Sequence, residues 1–300
     1  MGAMPEYRKV EIQVEGGVLC AGVWGDRGPV ILCSHGITAN HISFQTLAER
    51  IGESFRLVAP DHRGRGCSSE ITGPWGMKAH AADVVTLLDA LSLERADVMV
   101  GHSMGAFISV VTQAEYPDRV GSLLLVDGGL PLADEMPPGV SPEQLVQSII
   151  GPAMERLDMH FASAEAYLDF WRQHPAFQRS EDWTTALEDY FRYDLAGSPP
   201  DCRSVVNKAA IVADAESQLM SDDIPEALNN LSAPVQFLQA PRGILDDAPL
   251  YPLSRLQQLQ ARMGNFDYRS VEGVNHYTIM LADAGAAAVE KEIRALLRRQ

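Results

Sequence analysis

Hydrophobic and polar residues alternate strictly near the start of the chain. Val10, Ile12 and Val14 alternate with lysine, glutamate and glutamine side chains, a period of two that is typical of a β-strand with one buried face. A Gly-Gly pair then interrupts the pattern, and a second strand-like stretch, 18–24, follows at once. Two strands joined by so short a turn are expected to pair as an antiparallel hairpin.

Further along, strand-like stretches alternate with helix-like stretches. Residues 29–34 form a continuous apolar run, which indicates a strand that is covered on both faces, as in parallel sheets. Further strands are expected over 57–60, 97–100, 120–126, 234–240 and 268–271. The alternation predicts an α/β fold with a doubly wound, mostly parallel eight-stranded sheet, in which ligands gather at the carboxyl ends of the strands.

The composition changes between 131 and 231, after the sixth predicted strand. This stretch shows no strand pattern and consists of proline-punctuated helical pieces rich in aromatic residues. We interpret it as an α-helical lid (cap) over the strand ends, and we assign 1–130 and 232–300 to the core domain. Most of the aromatic side chains are expected to form the lid's own core. Trp171 and Trp183 are predicted to face a substrate pocket.

The charge balance argues against several classes of partner. The 300 residues carry a net formal charge of −16 without a cluster of lysine or arginine, which disfavours nucleic acid and anionic membranes. No apolar run approaches the roughly 18 residues of a membrane helix, and the N-terminus lacks the features of a signal peptide. Four cysteines without metal-ligand spacing are expected to be reduced thiols. These features predict a cytoplasmic protein that acts on a small, largely apolar molecule.

A glycine-flanked serine lies between a predicted strand and a predicted helix. The strand 97–100 runs into Gly101-His-Ser103-Met-Gly105, and a helix-compatible run begins immediately afterwards. A G-x-S-x-G sequence in this position forces the serine into a sharp turn that exposes its hydroxyl above the sheet. Elsewhere the pattern often occurs by chance, so the flanking strand and helix carry the argument. Ser103 is the candidate nucleophile.

A serine hydroxyl needs a base to remove its proton, and the base needs a third group to orient it. His276 is the candidate base because it follows the last predicted strand, from which its imidazole can return toward Ser103. Two carboxylates compete for the third role. Asp246 gives the chain order Ser, Asp, His but lies several residues beyond the end of its strand, whereas Asp127 ends the sixth strand directly. The sequence leaves both candidates open.

The same chemistry needs two donors for a developing oxyanion. The backbone amide of Met104, at the start of the helix, is one candidate, and the amide of Ile37, just past His35-Gly36, is the second. His35 and Thr38, at the end of the 29–34 strand, are further candidates for the substrate pocket.

These motifs, in this order, resemble those of the α/β-hydrolase superfamily over essentially the whole chain. The four matching stretches are His35-Gly36, the 61–68 segment Asp-x-Arg-Gly-x-Gly-x-Ser, Gly101 to Gly105, and Asn275-His276. The resemblance implies the superfamily's fold and a serine hydrolase of the carboxylesterase-like branch with a helical lid. It also implies a reaction that requires neither a metal nor an organic cofactor.

The leading hypothesis is hydrolysis of a carboxylic ester or lactone of a small apolar substrate through an acyl-enzyme. Thioester hydrolysis and cleavage of an activated carbon–carbon bond stay open, because similar folds perform them with the same residues. A cofactor-free perhydrolase or haloperoxidase is a second enzyme class. A hydrolase-like receptor that binds a ligand under its lid is the non-catalytic alternative. The oligomeric state stays open, with a homodimer as one option.

Overall fold

Most of the strands coincide with stretches that the sequence predicts as strands. The computed structural model of the protein describes residues 5–132, 144, 151, 154–179 and 182–300. Its strands are β1 Tyr7–Val14, β2 Gly17–Trp24, β3 Val30–Ser34, β4 Arg56–Pro60, β5 Ala96–His102, β6 Val120–Val126, β7 Leu195–Ser198, β8 Asp201–Ser204, β9 Val235–Gln239 and β10 Phe266–Ser270.

Eight of these strands form one sheet in the order β1-β2-β4-β3-β5-β6-β9-β10. The β1–β2 hairpin is antiparallel and β2 pairs with β4 in antiparallel fashion, whereas all other neighbours in this sheet are parallel. The central strands β3, β5 and β6 are buried on both faces, which is why their sequences are apolar without alternation. The predicted hairpin and the mostly parallel eight-stranded sheet are confirmed.

Helices cover both faces of this sheet. They are α1 Gln45–Ile51, α2 Met77–Ala90, α3 Met104–Glu115, α4 Ala164–Arg172, α5 Thr185–Tyr193, α6 Lys208–Met220, α7 Asp223–Asn230, α8 Leu253–Arg262, α9 Thr278–Leu281 and α10 Asp283–Leu297. Short 3₁₀ turns lie at His41–Phe44, Gly52–Ser54, Gly66–Ser68, Pro117–Arg119 and Pro175–Phe177. Helices α2, α3, α7 and α8 contribute to the apolar core on one face, and α1 and α10 contribute to the core on the other. This arrangement is doubly wound.

The stretch between β6 and β9 differs from its sequence prediction in two respects. The prediction of no strand there is wrong, because β7 and β8 form a separate antiparallel hairpin. Each strand has only four residues, mostly exposed, so no hydrophobic alternation marks them. Residues 133–143, 145–150, 152–153 and 180–181 of the predicted lid lie outside the described residues.

The second difference concerns the carboxyl-terminal boundary of the predicted lid. Helix α7 falls within 131–231, yet Ile224 and Ala227 on this helix belong to the core cluster that includes Phe107 of α3. Helices α4 and α5 instead belong to an aromatic cluster that also includes Leu281 of α9. The lid as a separate unit therefore remains a prediction, and α7 packs as part of the core.

Candidate active site

Ser103 lies in the one-residue connection between β5 and α3. Its backbone has φ +54° and ψ −120°, a conformation that non-glycine residues adopt rarely and that is typical of functional turns. A Cβ atom at Gly105 would lie 1.9 Å from the Ser34 carbonyl oxygen, and one at Gly101 would lie 2.3 Å from the Gly105 carbonyl oxygen. Only glycine fits at both positions, as the motif predicts.

His276 lies in the loop between β10 and α9, and its ring contacts Asp127. The His276 Nδ1 atom is 2.7 Å from the Asp127 Oδ2 atom, and both side chains are buried. An ionised carboxylate only accepts hydrogen bonds, so Nδ1 carries the proton and Nε2 keeps its lone pair. The other carboxylate oxygen, Oδ1, accepts from the Ala240 amide at 3.1 Å. Asp127 thus holds the imidazole in one tautomer and one orientation.

Asp246 is turned to different partners. It pairs with Arg242 and accepts a hydrogen bond from Asn275 Nδ2 at 2.9 Å. Burial opposes the charged form of Asp246, but the bonds from Asn275 and Arg242 outweigh this effect and lower the pKa of the carboxyl group. Of the two candidate carboxylates, Asp127 is the one bonded to His276.

His102 fixes the other side of the histidine loop. Its Nε2 atom donates to the His276 carbonyl oxygen at 2.8 Å, while the His276 amide donates to the Arg242 carbonyl oxygen at 3.0 Å. Burial lowers the pKa of His102 to about 3, so the ring is neutral at physiological pH. The contact of His102 with a residue 174 positions away in the chain has no local signal in the sequence.

The loop after β3 packs directly against Ser103. A Cβ atom at Gly36 would lie 3.3 Å from the Ser103 Cβ atom and 3.8 Å from its Oγ atom. The candidate donors Ile37 and Met104 flank this contact, and within the described part of the chain neither amide donates a hydrogen bond. Both amides are therefore available to a ligand oxygen.

Buried side chains hold this loop from behind. His35 Nδ1 donates to the Gly36 carbonyl oxygen at 2.8 Å, and His35 Nε2 accepts from the His62 amide at 2.9 Å. Burial lowers the pKa of His35 to about 3, which keeps the ring neutral. Arg65 Nε donates to the Ile37 carbonyl oxygen at 2.8 Å. The Ile37 amide shares its peptide with the Gly36 oxygen that His35 holds, so this N–H points to the opposite side.

Arg65 is itself paired with Asp214 of α6, and neither side chain is exposed. Asp214 also contacts His80 Nε2 at 3.0 Å and accepts from the Gly76 amide at 2.7 Å. Burial alone would raise the pKa of Asp214, but the interactions with His80 and Arg65 outweigh it and hold the pKa well below its ordinary value. The ionised carboxylate therefore stabilises the folded state.

We expect Asp214→Asn to lower the free energy of unfolding at pH 7 by about 3–5 kcal/mol, because it leaves a buried guanidinium without its partner. A depressed folded-state pKa gives stability that is present above about pH 4 and is lost as the pH falls further. The wild type should therefore lose more stability than the variant between pH 5 and pH 2. Urea unfolding at several pH values measures both effects.

Asp283→Asn is the matched control, because Asp283 pairs with Arg50 at the surface with 75% of its side chain exposed. Its expected cost is below about 1 kcal/mol. Equal costs for the two variants would contradict the stabilising role of Asp214.

A cavity of about 480 Å³ lies above these groups. Ser103, His276 and Asp127 line it together with Thr38 and Trp171, whereas His35 and Trp183 do not. His35 is fully buried behind the loop. The prediction that these two side chains face the pocket is wrong.

Trp183 is held away from the cavity by two contacts. Its indole N–H donates to Glu188 Oε1 at 2.8 Å, and the Arg172 guanidinium lies over its ring at 4.8 Å. These contacts, like the burial of His35, are tertiary and leave no local sequence pattern.

The structure has no hydrogen bond between the Ser103 hydroxyl and the His276 ring among the described residues. Both groups line the same cavity, and catalytic hydrogen bonds in ligand-free enzymes are often long and tighten only when substrate binds. Sequence reasoning missed several other polar residues of the lining. They are Arg156, His174, Tyr190, Gln218 and Tyr277.

Two features are missing from the described residues. No helix there is both long and apolar enough to span a bilayer. No group of three or more histidine, cysteine, aspartate or glutamate side chains in the described ranges is arranged to hold a metal ion.

Comparison with known proteins identifies the fold. Residues 29–152 match the model of the alpha/beta hydrolase fold. The crystal structure of E-2-(acetamidomethylene)succinate hydrolase superposes with a TM-score of 0.77 at 22% identity and covers 98% of this chain and 100% of that one. The chain has the α/β-hydrolase fold.

Two relatives show how far the sequence similarity extends. The RutD protein of a Caulobacter species, provisionally named a carbamate hydrolase, is 29% identical over 275 residues, which are 89% of this chain and 91% of that protein. The 2-(acetamidomethylene)succinate hydrolase of Mesorhizobium japonicum is 38% identical over 100 residues. That match spans only 33% of this chain and 36% of the relative.

Proposed function

We propose that this protein is a serine hydrolase that cleaves a carboxylic ester or lactone of a small substrate through an acyl-enzyme. The observation that carries the proposal is the 2.7 Å contact between His276 Nδ1 and Asp127 Oδ2, in the wall of the cavity that Ser103 also lines. An imidazole held in this tautomer presents its basic nitrogen to a proton donor, and the two relatives are named hydrolases.

In the proposed reaction, the Ser103 hydroxyl attacks the substrate carbonyl carbon while His276 Nε2 removes its proton. Asp127 orients the ring and stabilises the imidazolium that forms. The oxygen of the tetrahedral intermediate, now an anion, accepts hydrogen bonds from the Ile37 and Met104 amides. The imidazolium then protonates the leaving alcohol oxygen, and the carbon–oxygen bond breaks. Water, activated by the same imidazole, releases the acid and restores the serine.

The two amides are expected to contribute as much as the side chains. Loss of one preorganised oxyanion donor costs about 2.7–4 kcal/mol in transition-state stabilisation in known cases. In this chain the Gly36 oxygen of the peptide that carries the Ile37 amide is held by His35, and the Met104 amide begins α3. Both donors therefore need no rearrangement during the reaction.

An acyl carbon–nitrogen bond is a second candidate for the scissile bond. It is favoured by the relatives' names, which assign one an acetamidomethylene-succinate substrate and, provisionally, another a carbamate. The chemistry differs only in the leaving group, since His276 would protonate a nitrogen instead of an oxygen. Paired 4-nitrophenyl esters and 4-nitroanilides of the same acids distinguish the two substrate classes.

Labelling with a fluorophosphonate probe tests the proposal. Such probes phosphonylate an activated serine hydroxyl, so we expect one modified peptide that contains Ser103. Prior denaturation should abolish the reaction, because activation depends on the folded arrangement of His276 and Asp127. Mass spectrometry of the digested protein identifies the site. Absence of labelling, or labelling of another serine, would contradict the assignment of Ser103.

A further inference from the structure

Arg156 places a cationic group in the wall of the cavity. Its side chain is 4% exposed, and its guanidinium lies over the Trp171 ring at 5.2 Å. Among the described residues that line the cavity it is the sole lysine or arginine. A chain with a net formal charge of −16 is expected to favour neutral ligands. A buried cation at this position costs free energy unless a carboxylate of the protein or a ligand pairs with it.

One edge of the Arg156 guanidinium is already occupied by the protein. Nη1 donates to the Tyr167 hydroxyl oxygen at 2.7 Å and to Asp194 Oδ2 at 2.9 Å. Asp194 accepts in addition from Tyr167 and, through Oδ1, from the Ser204 hydroxyl at 2.8 Å. The carboxylate is thus fully engaged, and the guanidinium is fixed in place.

The other edge, formed by Nε and Nη2, is free. Neither atom has a hydrogen-bond partner in the described part of the chain. Neither is one of the fully buried polar atoms that lack a partner. Two parallel N–H donors on one planar edge match the two oxygens of a carboxylate. Because the guanidinium is already immobilised, binding at this edge costs little additional side-chain entropy.

The neighbouring polar groups of the lining are also donors. Tyr190 is 8% exposed, and its hydroxyl has no partner among the described residues. His174 Nδ1 accepts from the Ala176 amide at 3.2 Å, and burial, followed by the nearby Arg156 charge, lowers the pKa of His174. The neutral ring therefore carries its proton on Nε2. This part of the cavity offers donors for an anion.

We infer that Arg156 binds a free carboxylate of the substrate through Nε and Nη2. The preferred substrate is then a small dicarboxylic acid in which one carboxyl group forms the scissile bond and the other is free. The inference rests on the proposed function, because it assigns the second end of the molecule whose acyl carbon Ser103 attacks. Asp194 and Tyr167 are positioning residues that hold the guanidinium.

Paired substrates test this inference on the intact protein. Mono-4-nitrophenyl glutarate and its methyl ester carry the same scissile bond and differ in one negative charge. The wild type should hydrolyse the acid with the larger kcat/KM. Arg156→Lys keeps the positive charge but loses the two parallel N–H donors of the guanidinium, and Arg156→Met loses both. Each variant should lower the ratio of kcat/KM for the acid to kcat/KM for the methyl ester. For Arg156→Met we expect a decrease on the order of 10- to 100-fold, mainly through a higher KM for the acid.

The matched control is Arg172→Met. Arg172 also lies over a tryptophan ring and pairs with carboxylates, but it does not line the cavity. Its ratio should stay at the wild-type value. A purely structural role of Arg156 would lower both rates together and leave the ratio unchanged, which would overturn the inference. A higher kcat/KM of the wild type for the methyl ester than for the acid would also overturn the inference. That measurement does not depend on whether a variant folds.

A binding measurement separates this inference from the proposed function. Ser103→Ala protein should bind the acid at least about 10-fold more tightly than the methyl ester by calorimetry, and Arg156→Lys on that background should remove the difference. If the wild type hydrolyses neither compound but this difference is present, the proposed function fails and carboxylate binding stands. If both compounds are hydrolysed and bound alike, the inference fails and the proposed function stands.

Discussion

Ser103→Ala is expected to lower kcat for 4-nitrophenyl butyrate on the order of 10⁵- to 10⁶-fold, as removal of the nucleophile does in serine proteases. The variant keeps the cavity and both oxyanion donors but has no oxygen to form the acyl-enzyme. The measurement is steady-state hydrolysis together with the pre-steady-state burst, which should disappear. The urea midpoint of unfolding should not fall.

The control for this change is Ser43→Ala. Ser43 also lines the cavity, but its hydroxyl donates to the Asn40 carbonyl oxygen at 2.8 Å. Its rate should stay within a few-fold of the wild type. Equal rates for Ser103→Ala and the wild type would show that hydrolysis, if present, occurs without this serine.

Asp127→Asn should have the second largest effect, a loss of about 10⁴-fold in kcat if it behaves as the equivalent change does in serine proteases. An amide at this position donates as well as accepts, so it permits the wrong tautomer of His276, with the proton on Nε2. That nitrogen then cannot remove the proton of Ser103. The measurement is kcat for 4-nitrophenyl butyrate at several pH values.

Asp246→Asn is the comparison that the structure provides. Because this carboxylate contacts Arg242 and Asn275 rather than the His276 ring, its loss should cost less than about 10-fold, the range of a displaced loop rather than a lost orienting group. Equal, small losses in the two variants would mean that neither carboxylate orients the base. A larger loss of kcat for Asp246→Asn than for Asp127→Asn would mean that Asp246, and not Asp127, orients His276.

The sequence predicted the sheet and the position of Ser103 because both depend on local or periodic signals. Strands β3, β5 and β6 are mostly apolar and buried, and Gly101 before Ser103 is required by contacts within the same turn. His276 was predicted from its place after the last strand, which the topology brings beside β9. Position in a parallel sheet is thus readable before the structure is known.

The choice between Asp127 and Asp246 was not readable, because it depends on backbone direction at single residues. Both have positive φ angles, +48° and +62°, yet Asp127 directs its carboxylate to His276 whereas Asp246 turns to Arg242. The competing partners determine the outcome. They come from different elements, and no spacing in the sequence links them.

The residues above the strand ends were predicted least well for the same reason. Trp171 and Trp183 lie in similar aromatic stretches, and only Trp171 reaches the cavity. Arg156 has no motif around it, and its significance depends on Asp194 and Tyr167, which the fold brings together from 38 and 11 positions away. A buried cation of this kind is visible only when its neighbours are known.

Asn275 ties the histidine loop to the segment between β6 and β9. Its Nδ2 atom donates to the Ala176 carbonyl oxygen at 2.9 Å, and its Oδ1 atom accepts from the amide that opens α9, Thr278, at 2.9 Å. These two bonds restrain the backbone on both sides of His276, so the alignment of the imidazole depends in part on a contact with a residue far away in the chain.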